Sequence, residues 1–108
     1  AASEDAQYAS RAQLFTNLGQ CYLATGEFDK ARDRLQRAQS IDPRNTRGYL
    51  MLAELEVSQG RYDQAWEPLQ SYLQLAGPDP AALEMAVDIA LARGDTATGA
   101  EYQRLLTP

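Results

Sequence analysis

Small and apolar residues recur along this chain in a helical rhythm, and the rhythm itself repeats. Leu18-Gly19, Tyr22, Gly26, Phe28, Ala31, Leu35, Ala38 and Asp42-Pro43 form one register. Gly60 and Gly94 follow Gly26 at intervals of 34 residues. Around Gly60 stand Leu52-Ala53, Tyr62, Ala65, Leu69, Tyr72 and Leu75. Around Gly94 the copy is worn, with Ala86-Val87, Asp95 and, one residue late, Ala100. Within each copy the apolar positions lie three or four apart, the spacing of one helix face, and nothing alternates with period two. The pattern predicts six helices, no strands, and short loops that make sequential helices antiparallel.

Residues that start or stop helices set the boundaries. The first helix is expected from roughly residue 4 to 25, closed by Gly26, because glycine accepts the left-handed turn that ends a helix. The second is expected from about residue 29 to 41 and stops at Asp42-Pro43, since proline pushes the residue before it out of helical geometry. Asn45 or Thr46 caps the third, which closes at Gly60. The fourth carries Ala65, Leu69, Tyr72, Leu73 and Leu75 and ends at Ala76-Gly77-Pro78. Pro68 inside it removes the bond to the Gln64 carbonyl. Asp79-Pro80 opens the fifth, with Asp as the cap and Pro at the first helical position. The sixth begins near Asp95-Thr96 and carries Ala97, Ala100, Tyr102, Leu105 and Leu106.

The smallest residues predict how the helices meet. Gly19 and Ala53 in the first helix of a hairpin, and Ala31 and Ala65 in the second, mark close crossings that a larger side chain would hold apart. Tyr22, Phe28 and Tyr62 are expected to fill the wedges between helices, and Cys21 to pack within one. Each hairpin then has an apolar face that only its neighbour can bury. The fold class is therefore all-α, an α-solenoid of about three helix-turn-helix repeats. It forms one domain over residues 1–108, with repeats at about 12–45, 46–79 and 80–108 and residues 1–11 extending the first helix.

Charge and composition narrow the chemistry. The 108 residues include 15 acidic and 10 basic side chains, a net charge of −5, and Lys30 is the sole lysine. Without a basic cluster the chain is no nucleic-acid binder. The absence of histidine removes the usual general base and metal ligand. One cysteine excludes an internal disulfide and a CxxC metal site. No apolar run is long enough to span a bilayer. Ala1-Ala2-Ser3 looks like a processed or trimmed start, so the chain is expected to be part of something longer. Glu54, Glu84 and Asp88 lack a nucleophile, a histidine or a shaped pocket, so they are not read as catalytic, and no enzyme activity or cofactor is expected. Arg32, Arg34 and Arg37 interleave with Asp29 and Asp33 as a salt-bridged solvated face. Trp66 is expected to pack at a repeat edge.

Leu18-Gly19, Tyr22, Gly26, Phe28, Ala31, Ala38 and Pro43 match the diagnostic positions of the tetratricopeptide repeat (TPR). From about residue 12 to its C terminus the chain resembles that family. The third repeat departs from the pattern: Val87 replaces a small residue, Gly99 stands at the usual alanine, and Gln103 occupies an apolar position. The resemblance implies a right-handed superhelix whose first helices line a concave groove for a protein or peptide partner. A narrower resemblance rests on Leu14 to Gly19, Met51 to Leu55, Gln59 to Tyr62, Tyr72 to Pro78, and Gly94-Asp95 with Ala100, Tyr102 and Leu105. These runs look like the C-terminal half of the pilotin lipoproteins of type IV pilus assembly. That likeness implies a periplasmic, outer-membrane-associated protein that helps a secretin or other pilus component assemble. The lipid-anchor cysteine of that family is not in this sequence. Two other readings stay open: a scaffold of another complex, including a cytoplasmic one, and a regulatory segment of a larger enzyme.

In the register of the family, Gln13, Thr16, Gln20, Arg47, Leu50, Glu54, Ala81, Glu84 and Asp88 fall on the concave face. Asn17, Met51 and Met85 stand beside them. One reading is a peptide groove, acidic toward the C-terminal repeat, with Leu50, Met51 and Met85 as adaptable apolar contacts. The other is a solvated wall. Members that grip chaperone tails place Lys and Asn at set groove positions. Here those positions hold Thr16, Gln20, Met51, Ala81 and Met85, so a partner's terminal carboxylate would go unpaired. One side of the last helix, with Tyr102, Leu105 and Leu106, is expected to be exposed or covered by a second copy of the chain.

Overall fold

A computed structural model describes residues 2–107, with side chains from residue 6 onward. The processed start expected at Ala1-Ala2-Ser3 lies outside those side chains. The helices are α1 (Ala2–Ala24), α2 (Phe28–Ile41), α3 (Thr46–Ser58), α4 (Tyr62–Ala76), α5 (Pro80–Ala92) and α6 (Thr96–Leu106). No strand occurs among the described residues.

The turns repeat as the sequence does. Gly26, Gly60 and Gly94 sit at φ of 78°, 73° and 77°, which L side chains rarely adopt. The residue after each glycine donates its N–H back into the helix just ended: Glu27 to Tyr22, Arg61 to Glu56 and Asp95 to Ala90, at 2.8 to 2.9 Å. These bonds satisfy carbonyls that a helix end leaves free. Asn45, Asp79 and Asp95 cap α3, α5 and α6, accepting from the amides of Gly48, Ala82 and Thr98 at 3.3, 2.9 and 3.1 Å. Each precedes a helix whose first-turn amides would otherwise lack acceptors.

Hairpins α1/α2, α3/α4 and α5/α6 stack in order, α3 on α2 and α5 on α4. The backbone of each odd helix also comes close to the next odd helix, α1 to α3 and α3 to α5, whereas the backbones of even helices stay farther apart. The odd helices therefore form the inner side of the stack and the even helices splay on the outer side. Ala31, Leu35, Ala38, Ala53, Ala65 and Leu69 are fully buried, as the register requires. Gly19 marks a true close crossing: a Cβ there would lie 2.8 Å from the Leu35 side chain.

The packing expected of Ala97, Ala100, Phe28 and Cys21 does not hold. Ala100 is exposed and Gly99 is buried against Leu91 and Ala90, so the third copy is in register through Gly99 and not one residue late. Ala97 is likewise exposed. Phe28 is 37% exposed, because it opens α2 before the first turn is covered, and does not fill a wedge. Cys21 is exposed. It follows Gly19 by two residues, which carries it to the far side of α1 from the packing face. Tyr22 and Tyr62 are half-buried against the core as expected.

Candidate functional site

The inner side begins with a polar clasp between α1 and α3. Gln13, Asn17 and Gln20 are exposed on α1, and Arg47 reaches them from α3. Its guanidinium donates to Asn17 Oδ1 at 2.9 Å and to Gln20 Oε1, while Gln13 Nε2 donates to Asn17 Oδ1 at 3.0 Å. Thr16, expected on the same face, is fully buried. Its hydroxyl donates to the Ala12 carbonyl at 2.8 Å and accepts from Asn45 Nδ2 at 2.7 Å. Thr16 therefore ties the cap of α3 to the preceding hairpin and offers nothing to a partner.

Farther along, the character changes. Leu50, Met51 and Met85 are half-buried, and Ala81, Glu54, Glu84 and Asp88 are exposed, all on α3 and α5. Burial of its surroundings holds the Glu54 carboxyl above its ordinary value, although the side chain keeps an open path to water. Asp79 has two jobs, which sequence reasoning saw only in part. It caps α5 and also accepts the Tyr72 hydroxyl from α4. The Tyr72 bond, then the Ala82 amide, holds its carboxyl below the usual range.

The joins between hairpins carry chemistry that the periodicity did not show. Glu56 of α3 is 3% exposed. Arg32 of α2 donates to its Oε1 from Nε at 3.0 Å and from Nη2 at 2.7 Å, and Arg61 approaches at 3.6 Å. Arg32 also reaches Asp29 at 2.9 Å and Gln59 at 2.7 Å. It belongs to this buried bridge rather than to a solvated face. Arg34 and Arg37 do share Asp33, as expected. At the second join the same stations hold Trp66, Ala90 and Arg93 in place of Arg32, Glu56 and Gln59. There Arg93 lies 5.4 Å over the Trp66 ring and pairs with Asp63 at 3.0 Å, and Trp66 meets Tyr102 edge to face. Setting the two copies side by side at 34-residue offset would have exposed this exchange.

Among the described residues, no group of three His, Cys, Asp or Glu is placed to hold a metal ion, and no helix is long and apolar enough to cross a membrane. No protein of curated function matches the sequence. Among solved structures, the chain is similar to PilW, described as a widely conserved type IV pilus biogenesis factor, with 24% identity and a TM-score of 0.78 over 85% of this chain and 42% of that one. It is similar to pilF of Pseudomonas aeruginosa, with 24% identity and a TM-score of 0.79 over 97% and 47%. It is similar also to MamA, with 21% identity and a TM-score of 0.80 over 87% and 55%. The chain thus spans about half the length of these proteins, and at such identities the likeness is one of fold. The profile of the tetratricopeptide repeat matches residues 1–46, 16–80 and 50–108, overlapping segments that together run the length of the sequence. The chain belongs to the tetratricopeptide repeat family, whose stacked hairpins serve as protein-interaction scaffolds.

Proposed function

We propose that this chain is a non-catalytic scaffold that holds a partner segment along the inner face of α3 and α5. The observation that carries the reading is the juxtaposition on neighbouring odd helices of Leu50, Met51 and Met85 with the open carboxylates Glu54, Glu84 and Asp88. Half-buried methionines adapt to varied side chains. The acids favour a segment bearing Arg or Lys and speed its encounter. The Arg47 clasp with Asn17, Gln20 and Gln13 forms the polar end of this strip, and Ala81 is exposed at the start of α5. A place in type IV pilus or secretin assembly, at the periplasmic face of the outer membrane, is supported by the likeness to PilW and pilF and by the resemblance of several runs to those of pilotins. A second reading, a scaffold of another assembly, is supported by the tetratricopeptide fold itself, which does not fix the partner.

The test is capture of partners from an envelope lysate, followed by affinity measurements on the partner found. Glu54→Lys/Glu84→Lys should weaken binding severalfold, and the loss should shrink with salt, because exposed charges are screened over about 8 Å at physiological ionic strength. Glu101→Lys on the outer α6 serves as the control. Binding that survives the inner reversal and fails with the outer one would place the site elsewhere. A captured set with no pilus or secretin component would favour the second reading.

A further inference from the structure

The inner face repeats with the chain, and one seat on it is filled at the first crossing and open at the second. A shift of 34 residues carries Asn17, Gln20 and Arg47 onto Met51, Glu54 and Ala81. Where α1 and α3 cross, the Arg47 side chain spans from one odd helix to the other. Its Nη1 donates to Asn17 Oδ1 at 2.9 Å and its Nη2 to Gln20 Oε1. Where α3 and α5 cross, the acceptor is stronger, because the carboxylate of Glu54 stands at the station of the Gln20 amide. The donor is gone, since the Ala81 side chain ends at Cβ. Two neutral amides thus hold a guanidinium in one copy, and a charged acceptor stands without one in the next.

The electrostatics place Glu54 at this seat. The Tyr72 hydroxyl is raised first by its bond to Asp79, then by burial, and the charge of Glu54 adds to the rise. That hydroxyl donates to Asp79, which caps α5 two residues before Ala81. Glu54 therefore reaches the start of α5, as Gln20 reaches Arg47 near the start of α3. Asp79 is engaged by Tyr72 and by the Ala82 amide. Glu54 is not so engaged: burial alone holds its carboxyl above the ordinary value, and no described cation offsets it. Met51 is half-buried and Ala81 exposed, so the stations beside the carboxylate are apolar. A partly desolvated carboxylate next to a thioether and a methyl suits a planar, weakly hydrated cation on an apolar stem. Arginine is that cation, whereas the lysine ammonium is more strongly hydrated and lacks the two-pronged donor.

We infer that an arginine of the partner segment takes the place at the second crossing that Arg47 takes at the first, its stem against Ala81 and Met51 and its guanidinium on Glu54. The inference rests on the inner site proposed above and goes beyond it, since charge alone would accept Lys as readily as Arg. Arg47 and the partner's arginine then form one row of guanidinium groups along the inner face.

The probe is a displayed library of random linear peptides, selected against the whole chain. Peptides lost with Glu54→Lys/Glu84→Lys are those of the inner face. They should carry an arginine whose replacement by lysine weakens binding roughly tenfold, the worth of one hydrogen bond to a charged group. Ala81→Arg should weaken them at least as much, because the new side chain fills the seat from within the chain. Glu101→Lys should bind them unchanged. Circular dichroism checks that each variant is folded. A further measurement needs no peptide: NMR of the Glu54 carboxyl carbon should show it titrating lower in Ala81→Arg than in the unaltered chain. The inference is overturned, with the inner site left standing, if the inner-face peptides accept lysine for arginine without loss. It is overturned in the same way if Ala81→Arg still binds them in full, or leaves the Glu54 titration where it was. If no peptide is enriched over background, or every enriched peptide survives the Glu54 and Glu84 reversal, the inner site itself fails and the inference with it.

Discussion

Gly19 has no side chain because Leu35 occupies the place where one would go. A Cβ at Gly19 would stand 2.8 Å from two atoms of a leucine that is itself fully buried and cannot swing aside. Gly19→Leu should therefore lower stability by roughly 1–3 kcal/mol, seen as a drop in melting temperature. Gly48→Ala is the contrast. It too is a buried helical glycine, but a Cβ there meets Thr16 Oγ1 at 3.6 Å, ordinary contact. That change should be neutral or stabilising by up to about 1 kcal/mol, since alanine suits a helix interior better. Equal losses at both positions would contradict the crossing described for α1 and α2. Residues of this kind were legible in the sequence because sterics leave a composition signature: only Gly or Ala fits. The Arg32–Glu56 bridge was not legible. Each residue alone reads as solvated polar surface, and only the stacking of one hairpin on the next brings them together and buries them. Removing one partner would strand the other charge, which is why such bridges cannot be judged one residue at a time. Thr16 was misplaced for the same reason, since its burial depends on Asn45 of the next hairpin.

At the scale of helices, the beginnings and ends followed the sequence to within a few residues, because caps and turn glycines act locally. The caps also make a pH prediction. Asp79 and Asp95 are both held below the ordinary carboxyl value of 3.8, the first chiefly by Tyr72 and the second chiefly by Thr98. A depressed folded value means the contribution to stability is present above 3.8 and is lost as pH falls through the folded value. Acid should thus loosen the starts of α5 and α6. Tyr72 gives the opposite sign. Its hydroxyl is raised above 10.0, chiefly by Asp79, so its contribution holds below that value and is lost as pH rises through the folded one. Tyr72→Phe should return Asp79 toward 3.8 and move the midpoint of acid unfolding to higher pH. Asp79→Ala should cost about 1 kcal/mol at neutral pH and shrink the acid-dependent part of stability. An acid transition indifferent to both changes would show that the cap does not titrate as described. Glu54 works against these groups, since its raised value favours the protonated form on the same acid limb.

The whole molecule is a short slab. Its radius of gyration is 14.6 Å, against about 13 Å for a compact chain of this length, and its extents are 43 × 32 × 17 Å. Each hairpin buries one face on its neighbour, and within these residues the far side of α6 has no helix packed on it. The last helix shows the consequence. Within α6 only Gly99 is buried, Tyr102 and Leu106 are half-buried, and Leu105 is 59% exposed. A helix face that no neighbour covers favours water only where it is polar, and α6 mixes the polar Gln103 and Arg104 with the exposed Leu105. We therefore expect weak self-association in which a second copy covers Leu105. Light scattering should show mass rising with concentration, and Leu105→Lys should return the chain to a monomer without lowering its melting temperature, because Leu105 contributes little to its own core. A net charge of −5 opposes the contact at low salt, so association should strengthen as salt is added. That is the reverse of the dependence expected for a basic partner on the inner strip, and the two surfaces can be told apart on this ground. A monomer at all concentrations, or association untouched by Leu105→Lys, would show that α6 is not a contact surface.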